Sequence, residues 1–159
     1  FFLKKKKIVK VTDEHDFISS IQLSKKYPNT LKILILENIP VVVQVNGNKK
    51  YYLTKDGQKI NYTKIKAFEK LPTIFGSYKN FVSLFYELEK INFDISKIRS
   101  FYHFEVGRWD ITLKDNRTIK LPRVDYEEVL MKIDLTLNDP IFFNYKIFDY
   151  RIKNQLILK

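Results

Sequence analysis

The 159-residue sequence contains no cysteine, and it has only four glycines, two histidines and one tryptophan. Without cysteine there is no disulfide framework, no thiolate metal site and no cysteine nucleophile. The glycines stand in neither a GxGxxG nor a GxxxxGKS arrangement, which excludes nucleotide binding by either phosphate-binding motif. No run approaches the ~20 apolar residues that a membrane-spanning helix needs. Because the chain opens on Phe1 with neither a methionine nor a signal peptide, we expect it to be a piece of a longer protein.

Arginine is scarce in a chain that is otherwise strongly basic. The formal net charge is +11, but only five of the 29 basic residues are arginine. Proteins that read nucleic-acid sequence favour arginine for its bidentate contacts to guanine and phosphate, whereas scattered lysines are typical of a solvated surface. A basic nucleic-acid-binding module is therefore an alternative that the composition allows but that no motif supports.

Groups that could carry out catalysis are few. His15 lies in the acidic segment 13–16, which could be drawn as a metal cluster, although a solvated loop is the better interpretation because one short segment cannot point four groups at one ion. His103 and Glu105 share one face of a predicted strand, where they are either a His–carboxylate pair that orients a base or a cross-strand polar pair. The polar pair is favoured, so we predict no enzymatic activity, no metal and no cofactor.

The first third of the chain predicts a charged helix followed by a β-hairpin. Residues 4–10 are mostly lysine and favour an exposed helix. Residues 17–23 and 31–45 carry the β-branched and aromatic residues of strands, and the Tyr27–Thr30 segment predicts a turn between them. Pro40 cannot donate a ladder hydrogen bond and so indicates an edge, a bend or a transfer of the chain between two sheets.

The remainder predicts antiparallel sheet with two helices. Asn46-Gly47 and Asp56-Gly57 are hairpin turns. Residues 107–122 alternate apolar and polar side chains around a turn at Asp115-Asn116, which predicts a hairpin with one buried face. The other predicted elements are an apolar loop at 71–76, a helix that follows Ser77 as its N-cap and runs to Lys90, a strand at 98–105, a second helix opened by a capping box of Asp125 and Glu128, and two strands around Lys153-Asn154 between 142 and 159. Each helix has apolar residues at helical spacing, which predicts one apolar face: Phe81, Leu84, Phe85 and Leu88 in the first, and Val129, Leu130, Ile133 and Leu137 in the second.

Six short motifs in order resemble the FtsQ/DivIB family of bacterial cell-division proteins. Residues 26–41, KYPNTLKILILENIPV, are similar to the closing strands of that family's POTRA domain. The other motifs are YLTKDG at 52–57, LPTIFG at 71–76, RWDITL at 108–113, KLP at 120–122 and FDYR at 148–151. Three features depart from the family pattern: the turn at Asp115–Arg117 lacks a glycine, Tyr150 replaces a leucine, and the first POTRA strand and helix are missing.

The resemblance implies an α+β fold: a truncated POTRA domain followed by a mostly antiparallel β-sheet domain that carries two helices. The expected boundaries are 1–45 for the C-terminal part of the POTRA-like domain and 46–159 for the β domain. The implied location is the periplasmic side of the bacterial cytoplasmic membrane, with a single-pass anchor helix upstream of this chain.

The resemblance also implies a non-enzymatic scaffold that binds FtsB-like and FtsL-like membrane proteins at the division septum. A partner strand would add to the open edge of the terminal strand. The residues expected at this interface are Arg108, Arg151, Ile152, Asn154 and Leu156. A POTRA-bearing outer-membrane assembly or secretion factor is a further alternative, but it predicts a long barrel-forming region downstream.

Overall fold

A computed structural model describes residues 15–159, which form two β-sheets and two α-helices. The predicted helix at 4–10 lies outside the described residues, as do Asp13 and Glu14 of the acidic segment. In chain order the elements are β1 Ile18–Lys26, β2 Thr30–Glu37, β3 Pro40–Asn46, β4 Lys49–Thr54, β5 Lys59–Asn61, β6 Thr73–Gly76, α1 Phe81–Lys90, β7 Ile98–His103, β8 Trp109–Leu113, β9 Thr118–Lys120, α2 Tyr126–Asn138, β10 Ile147–Asp149 and β11 Ile157–Leu158. Short 3-10 turns lie at Lys66–Phe68, Ile95–Lys97 and Pro140–Phe142.

Strands β1 and β2 form the predicted hairpin, which is a separate two-stranded antiparallel sheet. The second predicted strand, 31–45, is divided by Asn38 and Ile39, and Pro40 begins β3 in the larger sheet. Pro40 therefore marks a transfer of the chain between sheets. The domain boundary at 45 and 46 and the POTRA identity of the hairpin stay predictions. Strand β3 spans that boundary and pairs entirely within the larger sheet.

The nine-stranded sheet has the order β11-β10-β9-β8-β7-β6-β3-β4-β5. Its hairpins follow the predicted turns: Asn46-Gly47 joins β3 to β4, Asp56-Gly57 precedes β5, and Asp115-Asn116 joins β8 to β9. Three of its pairs, β3 with β6, β6 with β7 and β9 with β10, are parallel. The helices α1 and α2 connect the last two of these parallel pairs, as parallel strands require long connections.

Both helices cover one face of this sheet. Alternating strand residues such as Ile74, Phe101 and Ile111 point towards them, and all three are almost completely buried. The ring of Phe81 in α1 packs edge-on against Phe101 at 5.6 Å and against Trp109 at 6.5 Å. Helix α1 contributes Phe81, Leu84, Phe85 and Leu88 to this core, and α2 contributes Leu130, Ile133 and Leu137. The apolar faces predicted for both helices are confirmed.

Several local predictions were wrong. The apolar segment at 71–76 contains strand β6 rather than only a loop, because its backbone pairs with both β3 and β7. The N-cap of α1 is Asn80, not Ser77, so the helix starts at Phe81. Asp125 precedes α2 with φ 57° and makes no side-chain hydrogen bond to the helix, so the capping box does not form. Among residues 15–159, no helix has the length and apolar composition needed to cross a bilayer.

Candidate partner-binding edge and its charged row

Two strands form the edges of the nine-stranded sheet, β5 on one side and β11 on the other. At the β11 edge, Ile147 and Lys159 exchange both backbone hydrogen bonds, at 2.9 and 3.1 Å. In an antiparallel ladder the next pair, Phe148 and Leu158, then points its backbone groups away from each other. The N–H and C=O of Leu158 therefore face outward from the sheet, where an extended segment could pair with them.

The predicted interface residues do not lie within a terminal strand. Arg151, Ile152, Asn154 and Leu156 lie in the loop that connects β10 to β11, and Arg108 immediately precedes β8. The loop turns where Asn154 adopts φ 60°, in the left-handed region that asparagine tolerates better than most residues. The predicted turn at Lys153-Asn154 is confirmed, but the two strands that it joins are shorter than expected, so Ile152 lies in the loop. Backbone pairing with β9 ends at Tyr150, whose N–H donates to Lys120 O at 2.9 Å.

The loop and the start of α2 enclose a groove of about 450 Å³. Its apolar lining includes Val124, Val129, Ile152 and Leu156. Leu156 is half-buried and packs against the core, while Ile152 is 51% exposed. The charged rim is formed by Arg123, Asp125, Glu128, Lys132, Arg151 and Lys153. Four of the five predicted interface residues, all except Arg108, line this groove, which lies beside the β11 edge.

A row of paired side chains crosses the sheet face opposite the helices. Strand pairing places Tyr102 beside Asp110, Asp110 beside Lys120, and Lys120 beside Asp149. The two carboxylates thus lie on β8 and β10, on either side of a lysine on β9. At one end of the row, the ring of Tyr102 stacks on that of Phe75 with centroids 4.8 Å apart, and both rings are partly exposed.

The two predicted arginines each bind one carboxylate of this row. Arg108 Nε donates to Asp110 Oδ1 at 3.2 Å, and its guanidinium lies 4.3 Å from the centre of the Phe104 ring. Arg151 donates through Nε to Asp149 Oδ1 at 2.8 Å and through Nη2 to Asp149 Oδ2. The two arginines therefore belong to one charged row, in which Arg151 is 44% exposed and Arg108 is 21% exposed.

Burial and charge shift the pKa values of the two carboxyls in opposite directions. Burial raises the pKa of Asp110, and the neighbouring charges of Arg108 and Lys120 only partly oppose that shift. Hydrogen bonds from Arg151 lower the pKa of Asp149 despite the opposing effect of burial. Asp149 in turn raises the pKa of Arg151. At neutral pH Asp149 is thus held ionised by Arg151, whereas burial favours the protonated form of Asp110.

Sequence reasoning missed Asp110, Lys120 and Asp149 as members of the site. The only local signal was the alternation in Trp109–Leu113, which places Asp110 and Thr112 on the face opposite the core. Lys120 and Asp149 belong to a parallel pair whose strands are separated by α2, so their adjacency cannot be obtained from local spacing.

The two histidines form no catalytic arrangement among the described residues. His103 ends β7 and packs against the Trp109 ring at 4.4 Å, while Glu105 lies in the following turn. Burial lowers the pKa of His103, and both ring nitrogens lack a hydrogen-bond partner in residues 15–159. The expected His103–Glu105 polar pair is therefore not formed. Within the same residues, no three potential metal ligands converge.

Comparison with known proteins places these features in a family context. The family model described as "Cell division protein FtsQ/DivIB, C-terminal" matches residues 41–149. Proteins named "Cell division protein FtsQ" from Rickettsia conorii and Rickettsia felis are each 29% identical over the whole chain, which covers 61% of their length. The Rickettsia bellii protein of the same name is 30% identical over 90% of the chain and 55% of its own length. The chain thus spans about three fifths of the length of the relatives that match it throughout.

Proposed function

Because the chain belongs to the FtsQ/DivIB family of cell division proteins, we propose that it acts as a non-enzymatic scaffold that binds other membrane proteins of the division septum. The partners we propose are FtsB-like and FtsL-like proteins, which cross the membrane once. We also propose that a helix upstream of this chain anchors it to the cytoplasmic membrane, with the chain on the periplasmic side. The sequence resemblance and the family match support this proposal.

The observation that carries the proposal is the outward-facing backbone of Leu158 at the β11 edge. Strand addition needs an unpaired N–H and C=O at the edge of a sheet, and it gives affinity through main-chain hydrogen bonds. Strand β11 has only two residues, so main-chain pairing here would be short. Side chains beside the edge would therefore have to supply most of the remaining affinity and the specificity.

The groove between the 150–156 loop and α2 supports such a side-chain contact. Ile152 is half-exposed at its mouth, and Leu156 and Val129 lie within it. An apolar side chain of the partner, placed next to the added strand, would cover Ile152 and be removed from water in the same groove. Apolar anchors of this kind provide most of the binding energy in many interfaces.

Arg151 supports a charged contact at the rim of the groove. Asp149 occupies its Nε and Nη2 atoms, so Nη1 is the nitrogen that we propose binds a partner carboxylate. The ion pair with Asp149 fixes the guanidinium before binding, which lowers the entropic cost of the new contact. Arg108 is less exposed and is held by Asp110 and Phe104, so we propose that its direct contribution to binding is smaller.

The test is the affinity of the Ile152→Glu variant for the extracytoplasmic segment of an FtsB-like protein, measured by calorimetry. A carboxylate at the mouth of the groove should weaken binding at least ~10-fold, because it replaces an apolar contact and would lose its hydration when the partner covers it. Ile141→Glu is the matched control, since Ile141 is 72% exposed and lies outside the groove residues. Unfolding in urea, measured in parallel, separates loss of binding from loss of folding. Equal affinity of Ile152→Glu and Ile141→Glu would contradict the proposed interface.

A further inference from the structure

The second edge of the large sheet, strand β5, is occupied by a side chain. Thr54 N–H donates to Gln58 O at 3.0 Å, and Tyr52 lies opposite Ile60. The alternation of an antiparallel ladder then directs the backbone groups of Lys59 and Asn61 away from β4. Without a partner, the outward N–H groups of this edge would be a template for another extended chain.

Asp16 supplies a partner for one of these outward groups. The backbone N–H of Asn61 donates to Asp16 Oδ2 at 3.0 Å, and the side-chain Nδ2 of Asn61 donates to the same oxygen at 2.6 Å. The carboxylate oxygen thus takes the position in which an added strand would place a backbone carbonyl. Hydrogen bonds to a charged acceptor are stronger than those between neutral groups, so an incoming carbonyl would compete poorly for this N–H.

The position of Asp16 is fixed from both ends of the β1–β2 hairpin. Asn38, directly after β2, donates from Nδ2 to Asp16 O at 2.9 Å and from its backbone N–H to Phe17 O at 2.8 Å. The ring of Phe17 packs against those of Phe68 and Tyr52, with both centroid distances at 6.0 Å. The carboxylate is therefore held against the β5 edge by hydrogen bonds and by aromatic packing.

We propose that Asp16 is an edge cap, which prevents an extended segment, including β5 of a second copy of this chain, from adding to the large sheet. The cap blocks strand addition at the β5 edge only and does not affect the β11 edge. The role of Asp16 does not depend on the proposed partner interface, because Asp16 lies at the opposite edge of the sheet. It is tested with this protein alone.

The experiment compares the Asp16→Ala variant with Asp56→Asn. The control also removes one negative charge, from the exposed turn between β4 and β5, and asparagine is a residue that suits a turn. Amide hydrogen exchange of Asn61 at low concentration should be at least ~10-fold faster in Asp16→Ala, since its charged acceptor is lost. At high concentration Asp16→Ala should dimerise in sedimentation velocity. The Asn61 amide should then regain protection, and the Lys59 amide should become protected for the first time.

Three results would overturn the edge cap. They are unchanged exchange of Asn61 in Asp16→Ala, a variant that stays monomeric at all concentrations, and a dimer in which the Lys59 and Asn61 amides stay unprotected. The Asp16→Ser variant is the second test if Asp16→Ala does not fold, because its hydroxyl ends short of Asn61 while the residue stays polar. It should dimerise in the same way, and a monomeric Asp16→Ser with slow Asn61 exchange would equally contradict the proposal.

Discussion

Arg151 binds the carboxylate of Asp149, two residues earlier in the chain, through both its Nε and its Nη2 atoms. This pair joins the end of β10 to the loop that lines the groove beside β11. Asp149 also lies beside Lys120, which in turn lies beside Asp110. The loop is proposed to bind a partner, and this row of charged side chains holds it against the sheet. Its backbone pairs with a strand only at Tyr150, whose N–H donates to Lys120 O.

Replacing Asp149 by Asn should destabilise the protein by about 1.5–3 kcal/mol, the usual contribution of hydrogen bonds to charged groups. The carboxylate is largely buried, and the substitution leaves Arg151 without its anionic partner. Urea unfolding measures the change. Asp134→Asn, at an exposed position of α2, is the control and should change the unfolding free energy by less than about 0.5 kcal/mol. Equal effects of the two substitutions would contradict a stabilising role for the Asp149–Arg151 pair.

Asp110 and Asp149 should have pKa values on opposite sides of 3.8, the usual pKa of an aspartate: that of Asp110 is raised and that of Asp149 is lowered. The pKa of Asp149 is lowered, so its stabilising contribution is present above the unfolded-state pKa and is lost as the pH falls through the folded-state value. The pKa of Asp110 is raised by burial, so its stabilising contribution is present below the unfolded-state pKa and is lost as the pH rises through the folded-state value. Carboxyl carbon shifts measured by NMR should show Asp110 protonating first on acidification, and the reverse order would contradict the assigned environments.

The hydrophobic core between α1 and the sheet should contribute strongly to the free energy of unfolding. Leu84→Ala removes a fully buried side chain and should cost about 2–5 kcal/mol of unfolding free energy. Tyr86→Ala in the same helix is the control, because Tyr86 is exposed and its replacement leaves no cavity. Chemical denaturation of both variants gives the comparison. A Leu84→Ala variant no less stable than Tyr86→Ala would be incompatible with the packing described.

Gly76 should tolerate alanine far less well than Gly47. Both have positive φ, 87° and 56°, which costs an alanine about 1–2 kcal/mol. At Gly76 an added Cβ would also lie 2.3 Å from the backbone oxygen of His103, whereas at Gly47 nothing lies within 4 Å. The loss of unfolding free energy should therefore be clearly larger for Gly76→Ala, and thermal or urea denaturation of the two variants measures the difference. Equal losses would mean that β6 and β7 are not as close as described.

The hairpins and the buried helix faces could be predicted from turn residues and from the spacing of apolar residues. Asn46-Gly47 and Asp56-Gly57 have the residues that tight turns require, and the spacing of Phe81, Leu84, Phe85 and Leu88 gives α1 its buried face. Such signals act over a few residues, so a single sequence is enough to read them.

Contacts between distant segments could not be predicted in this way. Strand β6 was missed because its short apolar segment is defined by parallel pairing with β3 and β7. The charged row was missed for a related reason. Asp110 and Lys120 face each other within the β8–β9 hairpin, but Asp149 joins them only when β9 and β10 pair across α2. The last two strands were expected to reach the turn at Lys153-Asn154, because Ile152 and Leu156 on either side of it are apolar, but both residues lie in the loop and line the groove.

The most direct test of the proposed function is amide hydrogen exchange of Leu158 with and without a saturating extracytoplasmic segment of an FtsB-like protein. Strand addition at β11 should slow exchange of the Leu158 amide at least ~10-fold, because its outward N–H gains a backbone acceptor. The Lys59 amide on the opposite edge should not change. Binding of the segment with unaltered exchange at Leu158 would contradict strand addition at this edge.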